Sequence, residues 1–245
     1  MSERAGLVVS LTINRFQARS WWHGWRKMAL DGRHLRHVPG LRFVRLLGTG
    51  RGGDLTLSAD PLRWARFAVW QDRAAFEQFE HSLFHRREFP LLAESYTVIM
   101  RPVQWHGAWD GALPFGAGTP GGVPAPSAPV AVLTRATLRP SKLRAFWQAV
   151  PASQRALHAQ PGLLAALGVG EAPLLRQATF SLWRDAASMR RFAYADGEHR
   201  TVIARTRRER WYREELFARF EVLASRGSWN GRDPLQAMTG EGRDV

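Results

Sequence analysis

The chain has 245 residues, of which 45% are apolar, with 11 Trp and 13 Phe. That is enough for a sizeable core, and with no apolar run of roughly 18 residues no membrane-crossing helix is expected. Cys is absent, which excludes disulfides, Cys-ligated zinc, iron–sulfur clusters and thiolate-ligated haem. The net charge is +14, almost all of it Arg, since only Lys27 and Lys142 are Lys. A basic surface attracts nucleic acid, anionic lipid or an acidic protein, and charge alone does not choose among them.

From the N-terminus, Leu7 to Ile13 is rich in β-branched residues and reads as a buried strand. The segment is short and lacks a small-residue cleavage site, so no signal peptide is expected. Ala18 to Leu30 reads as a helix, with Trp22, Trp25 and Ala29 at helical spacing. Pro39-Gly40 marks a turn before a strand from Leu41 to Leu47. Arg63 to Trp70 alternates as a third strand. Asp72 is a natural N-cap for a helix through Phe76 and Phe79. Another helical piece spans Phe84 to Ala93, and Tyr96 to Arg101 is the fourth strand.

After a stretch rich in Gly and Pro, the same order returns. Val130 to Leu138 is a strand. Ser141 caps a helix through Phe146 and Val150, with Pro151 a point of interruption. Leu163 to Val169 and Arg176 to Trp183 are strands. Asp185 caps a helix through Met189 and Phe192, Asp196 a second one from Gly197 to Arg208, and Leu216 to Ala224 alternates again. Five landmarks recur in order: Pro39-Gly40-Leu41 and Pro161-Gly162-Leu163; Gly48-x-Gly50 and Gly168-x-Gly170; Trp70-x-Asp72 and Trp183-x-Asp185; His85-Arg86 and His199-Arg200; Gly107-Ala-Trp-Asp-Gly111 and Gly227-Ser-Trp-Asn-Gly231. Such self-similarity is the signature of a duplicated unit.

Each half is therefore β-α-β-β-α-β, the ferredoxin-like split unit. The expected architecture is α+β: a first repeat over 1–111, a linker over 112–129, a second repeat over 130–233 and a polar tail over 234–245. The bare faces of the two sheets cover each other, sheet to sheet, in the manner of a dimeric α+β barrel.

Several motifs lead nowhere. Gly48 to Gly53 matches the dinucleotide-binding spacing, but no helix follows it to receive a pyrophosphate. It reads as a connection between strands. The third strand of each half lacks the Gly-aromatic core of RNA-recognition modules, so no nucleic-acid partner is expected. Glu214-Glu215 reads as a solvent-facing pair at a strand entrance. Of the histidines, His199 stands out. Val202 and Ile203 lie three and four residues on, so its ring shares their apolar face. Two readings stay open: a core His bonded to backbone, and an axial ligand to haem iron. Arg205 and its Arg neighbours would then face the haem propionates. His85, the counterpart in the first repeat, ranks second, because Glu88 and Pro90 disturb its helix.

The run from Val169 through Arg176-Gln177-Ala178-Thr179-Phe180-Ser181-Leu182-Trp183-Arg184-Asp185, the stretch from Phe192 to His199, and Trp211 to Phe220 resemble the spheroidene monooxygenase family. Val132 to Thr137 and, in the first half, Pro39 to Phe43 and Leu47 to Gly50 are similar too. This resemblance implies an acyclic-carotenoid oxygenase that inserts oxygen twice at carbon 2 of spheroidene. The second insertion gives a geminal diol, which loses water to the 2-keto product, spheroidenone. It implies haem b with His199 as axial ligand, O2 as oxidant and reduced ferredoxin as electron donor. Trp183 and Phe220 become candidates for the cofactor cavity, and Arg176 or Arg135 for the oxygen side. A long polyene comes from lipid, so the expected place is the cytoplasm, against the inner or photosynthetic membrane. A haem or apolar-ligand carrier without turnover is the alternative, and a nucleic-acid-binding protein the more distant one.

Overall fold

In the computed structural model, residues 6–117, 124–172, 174–194, 205–206 and 208–236 are described. Among them are eight strands and five helices. The strands are β1 (Val8–Phe16), β2 (Leu41–Gly50), β3 (Ala59–Trp70), β4 (Leu92–Gly107), β5 (Val130–Leu138), β6 (Leu163–Ala172), β7 (Arg176–Trp183) and β8 (Tyr212–Gly227). The helices are α1 (Trp21–Leu35), α2 (Arg73–His81), α3 (Leu83–Arg86), α4 (Leu143–His158) and α5 (Ala186–Tyr194). The chain divides into two compact units. Unit 1 takes the residues up to Thr49, Ala59–Pro102 and those from Val222 on, while unit 2 takes Gly50–Ser58 and Val103–Glu221.

In unit 1 the central strand β1 runs antiparallel to β3 on one side and β4 on the other, with Thr12 opposite Arg66 and Thr97. In unit 2, β5 runs antiparallel to β7 and β8, with Thr134 opposite Thr179 and Phe217. Val8 faces Trp70, and Val130 faces Trp183. The two sets of strands thus share one register, and the fifth residue of each central strand is Thr12 or Thr134.

Alternation along the strands builds a core on each face. On the helix side of unit 1, Val8, Ala68, Trp70 and Ile99 pack against Leu35, Phe76 and Phe79 of α1 and α2. On that side of unit 2, Val130, Val132 and Trp183 pack against Leu157, Ala186 and Met189 of α4 and α5. Both tryptophans donate to a serine hydroxyl at 2.9 Å, Trp70 to Ser10 and Trp183 to Ser181. On the opposite faces, Val9, Leu11, Phe67 and Val98 in unit 1, and Ala131, Leu133, Phe180 and Phe220 in unit 2, are also buried.

Both aspartate caps form: Asp72 accepts from Ala75 N at 2.8 Å, and Asp185 from Ser188 N at 2.6 Å. Other local expectations fail. The helix expected over Phe84 to Ala93 stops at Arg86, a single 3-10 turn follows at Phe89–Leu91, and β4 begins at Leu92. Pro90 has no N–H to extend a helix. Ser141 is no cap: it sits in a 3-10 turn, and α4 starts after Lys142 without a side-chain cap. Pro151 does not end α4, which continues to His158 with Val150 and Leu157 buried. Packing on both sides of the proline outweighs the one missing backbone bond.

The Gly-x-Trp-Asp/Asn-Gly echo turns out to be a clasp built twice. In unit 2, Glu214 accepts from the backbone N–H of Asp110 and Gly111, both at 2.8 Å. In unit 1, Glu94 accepts from Gly231 N at 2.6 Å and from Ser228 Oγ at 3.0 Å. Asp110 and Asn230 both adopt positive φ, 51° and 56°, a conformation that Asp and Asn tolerate better than most residues. Trp109 and Trp229 are buried beside these turns. At Gly107 a Cβ would come within 2.0 Å of Glu215 O, and at Gly227 within 2.0 Å of Ser95 O, so both positions require glycine. Glu214 is therefore not the solvent-facing charge expected of it. The start of the Gly/Pro stretch is also packed: Phe115 is buried, its ring 5.5 Å from that of Trp105, whose indole N–H donates to Gly116 O at 3.1 Å.

Candidate functional site

The helix-facing side of each sheet has the same framework and different contents. In unit 1 the space between β1, β3 and α1 holds charge. Arg66 and Lys27 both meet Glu88, Arg66 at 4.0 Å. Asn14 donates to Glu88 at 3.1 Å and accepts from Ser95 at 2.7 Å. Lys27 also pairs with Asp31. The Arg66 guanidinium lies 4.7 Å over the Phe79 ring and 3.4 Å from His85 Nδ1. Burial lowers the pKa of Arg66, against the pull of Glu88, Asp31 and Glu80. Burial, with the charges of Arg66 and Lys27 adding to it, pushes His85 down to about 3. The ring is neutral at any ordinary pH. Trp64 fills the end of the space because α1 has Gly24 there; a Cβ at that position would sit 1.9 Å from the Trp64 indole nitrogen. What remains is a shallow cleft of about 340 Å³ counted to its open mouth. Phe16, Met28, Leu46, Trp64 and Ala65 line it together with the charged Lys27, Arg66 and Glu88.

Unit 2 places small or neutral residues where unit 1 has these fillers. By register, Arg66 becomes Thr179, Asn14 becomes Ala136 and Trp64 becomes Gln177. The seventh residue of the first long helix is Lys27 in α1 and Ala149 in α4. The consequence appears on the central strands. Thr12 is 2% exposed; Thr134, at the same place, is solvent-exposed in the middle of a sheet, with Thr179 and Phe217 beside it half-buried. The helix-facing floor of unit 2 is therefore open among the described residues. Phe146 and Trp147 of α4 cross edge to face at 5.4 Å, and the buried Trp147 indole N–H finds no acceptor there. On the other side the Gly50–Ser58 loop lies so near β6 that a Cβ at Gly168 would come within 2.3 Å of Leu55 N. Asp54 of that loop is latched to His158 of α4 at 2.6 Å. The His106 ring stacks on Phe217 at 5.4 Å.

The candidates named from sequence fall in different places. Trp183 is buried in the helix-side core of unit 2, stacked on Phe192 at 5.3 Å. Phe220 is paired with Ala131, one position off the Val130–Trp183 pair, and so lies on the opposite face, its ring 5.6 Å from Phe115. The sheet does not bring these two to one cavity. Arg176 is part-exposed and pairs with Asp110 at 3.3 Å; its counterpart Arg63 donates to Asn230 at 2.7 Å. Both serve the clasp. Arg135 is 1% exposed and held by Glu214, by Asp110 at 2.9 Å and by Glu171 at 3.7 Å. Arg205 pairs with Glu209 at 2.8 Å and lies 5.3 Å over the Trp211 ring. His199 lies outside the described residues, as does most of the helix expected over Gly197 to Arg208.

Seven of the eight histidines are described; His85 is buried beside Arg66, while the exposed His158 and His106 lie on Asp54 and Phe217. No cluster of three or more His, Asp or Glu among the described residues is placed to hold a bare metal ion. A haem needs one axial donor and an apolar slot. Unit 2 offers the uncovered Thr134, the half-buried Phe217 and the buried Trp147 N–H without an acceptor, and the described histidine beside Phe217 is His106.

No family model matches the chain. Three spheroidene monooxygenases do. Those of Cereibacter sphaeroides, Rhodobacter capsulatus and Rubrivivax gelatinosus are 36%, 36% and 37% identical over 95%, 93% and 92% of this chain, and over 72%, 95% and 86% of their own lengths. The chain belongs to the spheroidene monooxygenase family. Membership makes it a monooxygenase-type oxidoreductase, as its sequence suggested. Among solved structures, two aldoxime dehydratases are similar. One has a TM-score of 0.59 at 14% identity, covering 88% of this chain and 81% of that one. The other, in complex with butyraldoxime, has a TM-score of 0.62 at 10% identity, covering 95% and 84%. At such identities the likeness is one of fold alone. No described helix is long and apolar enough to cross a membrane.

The open floor at Thr134, Thr179 and Phe217 went unnoticed in the sequence. The signal was present: set in register, the two units exchange Arg, Lys, Asn and Trp for Thr, Ala, Ala and Gln on one face.

Proposed function

We propose that the chain oxygenates spheroidene twice at carbon 2 to give spheroidenone, with haem b, O2 and reduced ferredoxin, at the cytoplasmic surface of the inner or photosynthetic membrane. The observation that carries the reading is the uncovered Thr134 floor in unit 2, in a chain whose relatives are spheroidene monooxygenases. We read the two units as copies of one ferredoxin-like unit. Their matched registers support this, as do their central strands of nine residues and closing strands of sixteen.

His199 would hold the haem iron, and the Phe146, Trp147 and Phe217 rings would line the slot. When bound, the haem supplies the activation of O2, chemistry that side chains alone do not perform. The residues of the chain do the rest. The aromatic wall excludes water from the polyene. The Thr134 and Thr179 hydroxyls are the polar groups nearest the centre of the floor and would orient the oxygen side. Ala136 and Ala149 leave room for the chain end.

The test uses purified protein supplied with haem. A Soret band that is lost in His199→Ala, together with formation of the 2-keto product from spheroidene, O2 and reduced ferredoxin, is expected. A Soret band without turnover would leave only a carrier. A colourless protein that takes up no haem would end the reading.

A further inference from the structure

Helix α1 carries a surface that the carotenoid chemistry does not explain. Around the helix, Trp21, Trp25, Ala29, Trp22, Arg33, Arg26 and Leu30 succeed one another across about half the circumference at 100° per residue. All seven are exposed. The three tryptophans are 52%, 45% and 53% exposed, and Leu30 is 49%. Tryptophan is rarely left in water to this extent, and three within five residues form a patch rather than scatter.

The charge on this face has one sign. Arg26 and Arg33 are exposed on it, and Arg19 and Arg36 flank it. The single acid of α1, Asp31, lies on another side of the helix, paired with Lys27. The patch is also rigid. Gly24 seats α1 on Trp64, whose indole donates to Pro61 O at 3.0 Å, and Trp25 crosses Trp64 edge to face at 5.1 Å. Arg26 sits 5.5 Å from the Trp22 ring.

We propose that this face of α1 docks the protein on an anionic lipid bilayer. The indoles enter the headgroup layer, where an amphipathic ring is most at home, and the arginines meet the lipid phosphates. An acidic protein would satisfy the arginines as well. It would leave unexplained why half-exposed indoles crowd the helix end. The choice of a bilayer also rests on the carotenoid reading, since such a substrate dissolves in lipid and not in water.

The experiment is co-sedimentation of the full chain with vesicles of phosphatidylcholine, and with vesicles in which roughly a third of the lipid is phosphatidylglycerol. Two double variants are compared, Trp21→Ser with Trp22→Ser, and Arg26→Gln with Arg33→Gln. The wild type should sediment with the anionic vesicles and release as salt rises. Each double variant should bind at least about tenfold more weakly, with an unchanged melting temperature and unchanged turnover of detergent-dissolved spheroidene. The proposal is overturned if the wild type ignores anionic vesicles, or if both variants bind like the wild type. It is equally overturned if the variants lose only ferredoxin affinity. Turnover in detergent keeps the two ideas apart. If it persists while vesicle binding fails, the carotenoid reading stands without this surface. If vesicle binding holds while the wild type has no turnover, the surface stands without that reading.

Discussion

The two units have the same register, the same capped helices and the same clasp, yet one lines its helix-facing cleft with charged side chains and the other, among the described residues, leaves Thr134 uncovered. In unit 1 Arg66, Lys27, Asn14 and Glu88 occupy it as one interacting cluster, with His85 packed against them. In unit 2 Thr179, Ala149 and Ala136 stand in those places and Thr134 reaches solvent. Charged groups at such a depth are tolerated only as a complete set, since each one unpaired is costly. Two units with one framework can therefore differ in what covers the helix-facing side of their strands. His199, the sequence counterpart of His85, lies outside the described residues.

The largest effect should come from filling the space over Thr134. Thr179→Arg puts into β7 the side chain that β3 carries at Arg66, at a place where Thr134 shows there is room. Haem uptake should be lost, and turnover of spheroidene should fall by about a hundredfold or more, as expected when a guest is displaced from its seat. The melting temperature should hardly move, because the added guanidinium can reach water. Soret titration and product analysis measure the first two. Full haem uptake and turnover in this variant would show that this space is not the site.

The next effect separates the two histidine positions through pH. The His85 imidazole titrates near 3 in the folded chain, against about 6.5 when unfolded. A group whose folded pKa is lowered contributes stability that is fully present above its unfolded value. That stability is lost as pH falls towards the folded value. The window is therefore pH 6.5 down to about 3, with a slope of at most about 1.4 kcal/mol per pH unit. Urea midpoints measured across that window should fall steeply for the wild type and much less for His85→Gln. Equal slopes in the two proteins would mean that the ring is not held neutral by its surroundings.

How much of this was legible in the residues alone can be judged from particular places. The strand and helix order was, because alternation and the Trp-x-Asp pairs are local signals that recur at matched spacing. Asp72 and Asp185 cap as read, since an N-cap acts within one turn. Ser141 and Pro151 misled, because a 3-10 turn intervenes before α4 and packing carries that helix through its proline. The Gly-x-Trp-Asp/Asn-Gly echo was legible as an echo and not as a clasp. Its partners Glu94, Arg63, Glu214 and Arg135 are far away in sequence, and only the sheet brings them together. Trp183 and Phe220 looked equivalent as strand aromatics, but the one-residue offset in register puts them on opposite faces.

The smallest effect compares the two clasps. Burial alone would raise the carboxyl pKa of both Glu94 and Glu214. In Glu94 this is outweighed by the N–H groups of Gly231 and Asn230 and by Ser228. In Glu214 it is outweighed by the N–H groups of Gly111 and Asp110 and by Arg135. Both carboxyls end below their ordinary value. Their contribution is thus present above about pH 4.3 and is lost as pH falls through the lowered folded values. The clasps differ in what each glutamate leaves behind. Glu94→Ala frees backbone donors at an exposed turn that water can reach, and should cost about 1 kcal/mol. Glu214→Ala also takes a carboxylate from Arg135, which is 1% exposed. Asp110 and Glu171 still face that guanidinium, so the cost should be about 2 kcal/mol, short of a fully broken buried pair. Denaturant unfolding at pH 7 ranks the two. If Glu94→Ala proved the more damaging, Arg135 would not be the anchor of the unit 2 clasp, and the two clasps would differ in something other than that buried charge.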